Sequence, residues 1–301
     1  MLTTTTRAIV ILTCATIITV SCKKEKNDNH NHQENTNGVV LKSQTINWHI
    51  GGDHTGSDHD SGAFLDTEER SFEYDLQGRL IAENSMQFVY DTDGMLVKTI
   101  KGPDTIHYNY NNGNLASVYT STGYYDGGSF SDTTYFIYAG NQLTGSISTH
   151  EKTTSQYLFE NNRMVSKCIS RAESGAIRND TLLYTWENDN VVSIRTKSAS
   201  PLNAYFYQRD FLYDDHPGYT RAISYPAEYL LVREITQFYG KYPFIYYESI
   251  PWRYNNANNP VEFKELNDDK TRITAFEIHY NSNGFPEMIH TKDFEMILTY
   301  Q

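Results

Sequence analysis

The sequence predicts an all-β chain, an antiparallel meander of about nine hairpin repeats forming a curved, twisted sheet, with one short inserted helix at about residues 226–239. Three observations carry this. First, Phe72-Glu73-Tyr74-Asp75-Leu76-Gln77-Gly78-Arg79-Leu80 recurs as Phe88-Val89-Tyr90-Asp91-Thr92-Asp93-Gly94-Met95-Leu96. Two aromatics two residues apart share one face of a strand, Asp opens a turn, Gly supplies the positive φ that closes it, and Leu begins the return strand. Second, the rhythm continues to the C-terminus. Third, 24 of the 301 residues are Tyr, a residue that favours pleated, half-buried surfaces.

The N-terminal segments are not part of the sheet. In residues 1–21 a single charge, Arg7, precedes the apolar run Ala8 to Val20, which is too short to span a bilayer as a helix. The run ends at Val20-Ser21-Cys22, which resembles a bacterial lipoprotein signal, and Ser21-Cys22-Lys23-Lys24 is similar to the start of many Gram-negative lipoproteins. That resemblance implies acylation of Cys22 and anchoring to the outer membrane. Residues 22–38 are then the lipidated Cys and a polar tether: Lys23 to Gly38 contains no apolar residue and cannot bury anything. A flexible chain of this length reaches roughly 20–25 Å. With Cys22 assigned to lipid, Cys168 has no partner for an intramolecular disulfide, and its alternation with polar neighbours reads as a buried strand residue.

The β domain spans residues 39–301. Val39 to Ile50 reads as a first strand. The polar loop after it holds Asp53, His54, Asp58 and His59, two Asp-His pairs whose donors suit a divalent metal. Beyond the two clean copies, shorter ones follow at Tyr108/Tyr110, Phe136/Tyr138, Tyr157/Phe159 and Tyr184/Trp186. Others stand at Phe211/Tyr213, Trp252/Tyr254 and Ile278/Tyr280, and Met296, Leu298 and Tyr300 supply a closing strand. The repeat glycines Gly78, Gly94, Gly113 and Gly284 should all have positive φ. Between them Pro226 to Tyr239 places Ala227, Leu230, Leu231, Ile235, Phe238 and Tyr239 on one helical face, a helix suited to covering the apolar side of the sheet.

The Tyr-Asp-x-x-Gly-x-Leu pattern at Tyr74 and Tyr90 resembles the YD repeat of the Rhs family. In that family such units form curling β-strips, and closed shells need far more repeats than nine. The layout of repeats, Tyr213-Asp214-Asp215-His216-Pro217, an apolar insertion, then Tyr254 and Tyr280 with Pro260 and Pro286 after the turn is similar to an uncharacterised lipoprotein domain of Gram-negative bacteria. That likeness covers about residues 70–301 and implies export and fold but no activity. YD repeats elsewhere are linked to carbohydrate binding.

A formal charge of −12 argues against nucleic acid as a partner. No metalloprotease, nucleophile-elbow, phosphate-loop or dinucleotide motif occurs. Asp75, Asp91, Asp214 and Asp215 already have a use, because Asp at such turns bonds its own backbone. Two functional readings stand. The first is a non-catalytic binding or scaffolding lipoprotein for a glycan or protein ligand, with Tyr74, Tyr90, Tyr108, Tyr110 and Tyr138 as the candidate binding row and no cofactor. The second is an envelope hydrolase acting on glycans through loop carboxylates. If the tyrosines are buried, binding belongs on variable loops such as Tyr119 to Ser131.

Overall fold

The computed structural model describes residues 38–49, 64–123, 129–149, 152–161, 163–173, 176–199, 204–236, 256–267 and 270–301. The strands are β1 (Leu41–His49), β2 (Phe64–Tyr74), β3 (Leu80–Glu83), β4 (Met86–Tyr90), β5 (Leu96–Lys101), β6 (Asp104–Asn111) and β7 (Asn114–Gly123). They continue as β8 (Ser129–Ala139), β9 (Gln142–Ser148), β10 (Thr153–Glu160), β11 (Arg163–Glu173), β12 (Ala176–Glu187), β13 (Asn190–Ala199) and β14 (Ala204–Pro217). A 3₁₀ turn (Tyr219–Ile223) and a helix α1 (Ala227–Thr236) follow, then β15 (Asn258–Asn267), β16 (Lys270–Ala275), β17 (Glu277–Tyr280), β18 (Pro286–His290) and β19 (Phe294–Tyr300).

The expected meander is present. From β2 to β16 each strand pairs antiparallel with the next, as do β17, β18 and β19. The expected open strip is not. β1 lies between β2 and β19, running from Leu41 opposite Tyr300 to Trp48 opposite Phe294 on one side and from Ser43 opposite Ser71 on the other. The sheet therefore returns on itself as an almost closed ring. The last join is a change of partner: Lys270–Ala275 pairs with β15 and Glu277–Tyr280 with β18, with the switch at Phe276, whose amide donates to the Val261 carbonyl. Closure depends on β1, a strand outside the repeat, so the count of repeats could not reveal it. Strands that switch partners are how sheets turn corners.

The repeat turns fold as their residues dictate. Asp75 Oδ1 accepts from the Gln77 and Arg79 amides at 3.0 and 2.9 Å, and Asp91 Oδ1 from those of Asp93 and Met95 at 3.0 and 2.9 Å. Asn281 does the same with Asn283 and Phe285. Gly78, Gly94, Gly113 and Gly284 have φ of 77°, 83°, 78° and 79°. Burial opposes the charge on Asp75, but the Arg79 amide and guanidinium and the Gln77 amide outweigh it and hold the carboxyl below its usual range.

Each hairpin carries a feature that the motif did not announce. One residue after the return residue, the return strand has an extra residue: Ile81, Val97, Ala116, Thr144, Val165, Val192, Val261 and Glu287 stand at these bulges. A bulge bends its strand and adds right-handed twist, so repeating it at one position curls the whole sheet. It also reverses the inward/outward phase of everything downstream. That is why Cys168, expected inside, faces outward and is half-buried beside Thr181, while Lys167 points inward and is wholly buried.

The first aromatic of each described repeat up to Phe211 is inward and between 3% and 9% exposed. Residues between the pairs, such as Val89, Ile137, Leu158 and Leu212, face out. Helix α1 packs on the inner side near the turns. Tyr225 and Tyr229 place their rings 6.4 and 5.1 Å from that of Phe88, and the Tyr225 hydroxyl donates to Glu83 Oε2 at 2.9 Å. The expected helix is present over Ala227–Thr236. Val232 is buried, Tyr229 and Leu231 pack against the core, and Phe238 and Tyr239 lie outside the described residues.

Candidate functional site

Counting back from the first aromatic of each repeat in steps of two gives the inward positions of the outgoing strand. Two residues back stand Arg70, Met86, Ile106, Thr134, Ser155, Leu182 and Arg209, and four back stand Glu68, Asp104, Asp132, Thr153 and Asp180. The interior is thus layered: aromatic beside the turns, mixed next, and polar farthest from them. Return strands match, with Ser146 opposite Phe136, Ser148 opposite Thr134, Lys167 opposite Tyr157 and Thr196 opposite Leu182.

The polar character concentrates on the inner wall of β11 to β16. Arg171 Nη2 is 3.2 Å from Asp180 Oδ2. Arg209 donates through Nε and Nη2 to Glu265 Oε2 at 3.0 and 2.8 Å, with its guanidinium 5.5 Å from the Phe263 ring. Arg272 Nη2 donates to Asp293 Oδ2 at 2.8 Å and so ties β16 to the β18–β19 turn, where no backbone ladder joins them. Asp180 and Arg209 are nearly inaccessible, whereas the Arg171 and Arg272 side chains reach solvent at 21% and 34%. Among these residues Thr196 is wholly buried, and its Oγ1 has no hydrogen-bond partner among the described residues. Thr274 Oγ1 and Arg171 Nε are in the same position. Such unbonded buried atoms are not confined to this wall: Tyr108 Oη and Arg221 Nε, among the described residues, also have no hydrogen-bond partner. Chemically the wall can bind and orient oxygen acceptors. Two serine hydroxyls stand against carboxylates, Ser193 Oγ donating to Asp210 Oδ1 and Ser148 Oγ to Asp132 Oδ2, each at 2.7 Å.

The five tyrosines named from the sequence have another use. Tyr90, Tyr110 and Tyr138 donate to the carbonyls of Leu80, Leu96 and Leu115 at 2.8, 2.8 and 3.0 Å, and Tyr74 to that of Leu41 at 2.9 Å. Tyr213 does so to Val191, Tyr300 to Pro286, and the Trp186 indole to Met164. For Tyr90, Tyr110, Tyr138, Trp186 and Tyr213 the acceptor is the return residue of the preceding hairpin, whereas Tyr74 reaches β1 and the Tyr280 hydroxyl goes to Asp214. The backbone ladder between hairpins stops short of it, ending at Lys98–His107 below Leu96 and at Ser117–Tyr135 below Leu115. The hydroxyl supplies the bond that the ladder omits. Tyr108 is 3% exposed. Burial pushes the phenols of Tyr74, Tyr90, Tyr108 and Tyr110 well above their usual range. The Arg79 guanidinium, 4.7 Å from the Tyr90 ring centroid, occupies one of its faces. Tyr74, Tyr90, Tyr110 and Tyr138 thus fasten strand to strand and Tyr108 is part of the core, which replaces the expectation of a ligand platform.

Asp214 and Asp215 divide. Asp214 accepts from the His216 and Asn259 amides and from the Tyr280 hydroxyl, and His216 stacks on Tyr280 with ring centroids 3.9 Å apart. That cluster holds the β17 hairpin against β14. Asp215 is exposed at the side chain. Asp53, His54, Asp58 and His59, and also Cys22 and Trp252 to Tyr254, lie outside the described residues. Among the described residues no group of three or more His, Cys, Asp or Glu side chains could hold a metal ion.

The inner wall escaped attention in the sequence because its residues carry no motif. The available signal was the step of two back from each aromatic.

No protein-family model and no curated protein matches the chain. Among solved structures, a porin-like protein from Bacteroides vulgatus aligns with 87% of this chain and 99% of its own, at 9% identity and a TM-score of 0.45. A porin-like protein from Bacteroides uniformis aligns with 87% and 96%, at 9% identity and a TM-score of 0.28. Neither likeness bears on what this chain does.

Proposed function

We propose that the chain is a cell-envelope lipoprotein, anchored to the outer membrane by an acylated Cys22, and that its strand ring is a non-catalytic module that binds a glycan against the inner wall of β11 to β16. The observation that carries the binding reading is the polar wall itself, where the Arg171 and Arg272 side chains, each paired with a carboxylate, reach solvent at 21% and 34%. Anchoring rests on the apolar run before Ser21-Cys22 and on the polar tether behind it. Kinship with YD repeats is also part of the proposal, and the Asp75 and Asp91 turns support it. The hydrolase reading is weaker: Asp75, Asp91 and Asp214 are engaged in turns and strand joins.

The test is a glycan array probed with the full chain in detergent, followed by calorimetry on each glycan retained. Saturable binding to a glycan class is the expected result. Retention of no glycan would overturn the proposal.

A further inference from the structure

We infer that the outward face of β7 to β10 is a second binding surface, separate from the inner wall, and that it takes a neutral glycan laid flat on Tyr119 and Tyr135. The observation behind this is a contrast between two sets of tyrosines. Tyr74, Tyr90, Tyr110 and Tyr138 point inward and give their hydroxyls to backbone carbonyls of the fold. Tyr119 and Tyr135 point outward, are 40% and 52% exposed, and make no hydrogen bond among the described residues. Register brings them together. Tyr119 is opposite Thr133 and Tyr135 opposite Ser117, so the two are diagonal neighbours on one face, roughly 7–8 Å apart. The His107 ring lies 6.1 Å from that of Tyr119 and extends the row to β6. On the other side Tyr135 is opposite Ile147 and Ile137 is opposite Gly145. A Cβ on Gly145 would meet Ile137 Cδ1 at 3.8 Å, so Ile137 leans over the glycine and the surface there stays low.

Charge and size select the occupant. In a chain with 21% charged residues, β7 and β9 contain no Asp, Glu, Lys or Arg, β8 contains only Asp132 and β10 only Glu160. Asp132 accepts from the Ser148 and Thr149 hydroxyls, and Glu160 stands at the turn opposite Arg163. The polar groups left on the face are neutral, with Thr133, Thr154 and Gln156 set among the rings and the isoleucines. A charged ligand finds no counter-charge there. A sugar ring has the matching composition: C–H faces for the phenol rings and hydroxyls for the polar rim. Four strands at about 4.8 Å spacing span roughly 15 Å, and five residues along a strand roughly 17 Å, an area on the order of 250 Å². A stable protein interface needs about 800 Å² per partner, and the outside of a strand ring is convex, so two copies would touch over less still. The face suits a few sugar rings and is too small for a second copy of the chain.

The experiment titrates the full chain in detergent with neutral gluco-, xylo- and manno-oligosaccharides and with oligogalacturonates of matched length, by calorimetry at low and high salt. At least one neutral series should bind, with affinity that changes less than about twofold with salt, and the uronates should bind at least about tenfold more weakly. Tyr119→Ala combined with Tyr135→Ala should weaken neutral binding about tenfold or more at an unchanged urea midpoint, because both rings are exposed. The corresponding pair of Phe substitutions, which keeps the rings, should retain most of it. Arg272→Gln reports on the inner wall and should leave this binding unchanged. Loss in Arg272→Gln with parental affinity in the double Ala variant would place the guest on the inner wall and overturn the outer surface. Uronates bound as tightly as neutral sugars would overturn the neutral assignment. A dimer in sedimentation that the double Ala variant abolishes would give the face to a second copy and overturn the inference, as would binding of no neutral series.

Discussion

Replacing Tyr110 with Phe tests whether the tyrosine bonds hold the ring together. The substitution removes one oxygen and leaves the ring in place. Its hydroxyl donates to the Leu96 carbonyl at 2.8 Å, Leu96 is 1% exposed, and the nearest ladder pair on that side is Lys98–His107. No backbone donor stands ready to take over, and a buried acceptor left unpaired costs about 1–3 kcal/mol. Urea unfolding should therefore show a lower midpoint at unchanged slope, equivalent to that loss. The chain contains its own control. At Phe159 the hairpin that should reach back to Leu143 has no hydroxyl, and Gln142 Nε2 instead approaches the Phe159 carbonyl at 3.5 Å. Phe159→Tyr should be neutral or stabilise by about 0.5–1.5 kcal/mol. A Tyr110→Phe protein within about 0.3 kcal/mol of the parent would refute the reasoning, because the ring would then be held by ladders alone.

Three other outcomes follow from the same geometry. Gly94 has φ of 83°, and a Cβ there would lie 3.1 Å from Arg79 Nη1, so Gly94→Val should destabilise by about 1 kcal/mol or more in the same urea assay. Burial raises the folded-state phenol values of Tyr74, Tyr90, Tyr108, Tyr110, Tyr213 and Tyr300 above the ordinary 10.0. Their contribution is therefore intact below pH 10 and is lost as pH rises beyond it, and circular dichroism should show cooperative alkaline unfolding accompanied by phenolate absorbance. Ionisation of all the chain's tyrosines, these six included, while the fold persists would contradict this. Cys22→Ala should leave the chain unprocessed or in the soluble fraction, and unchanged mass and membrane fractionation would exclude acylation.

Local chemistry was legible wherever one residue type decides one backbone conformation. Asp75, Asp91 and Asn281, with Gly78, Gly94 and Gly284, specify their turns almost alone, and the aromatic pairs specify a face. What could not be read depends on partners distant in sequence. Ring closure is a pairing of Leu41 with Tyr300, and nothing local in either strand encodes it. The bulges were hidden for a different reason. An extra residue in a return strand looks like an ordinary strand residue, yet it moves every later side chain to the other face. Lys167 and Cys168 exchanged places on that account. The tyrosines show how a correct observation can support the wrong use. Their spacing placed them on one face, but whether such a row meets a ligand or its own backbone depends on where the inter-hairpin ladder stops. The ladder stops before Leu80, Leu96 and Leu115, and the Tyr90, Tyr110 and Tyr138 hydroxyls go there. Stability near the turns is carried by the aromatic layers, and the proposed binding is assigned to the polar wall farther from them.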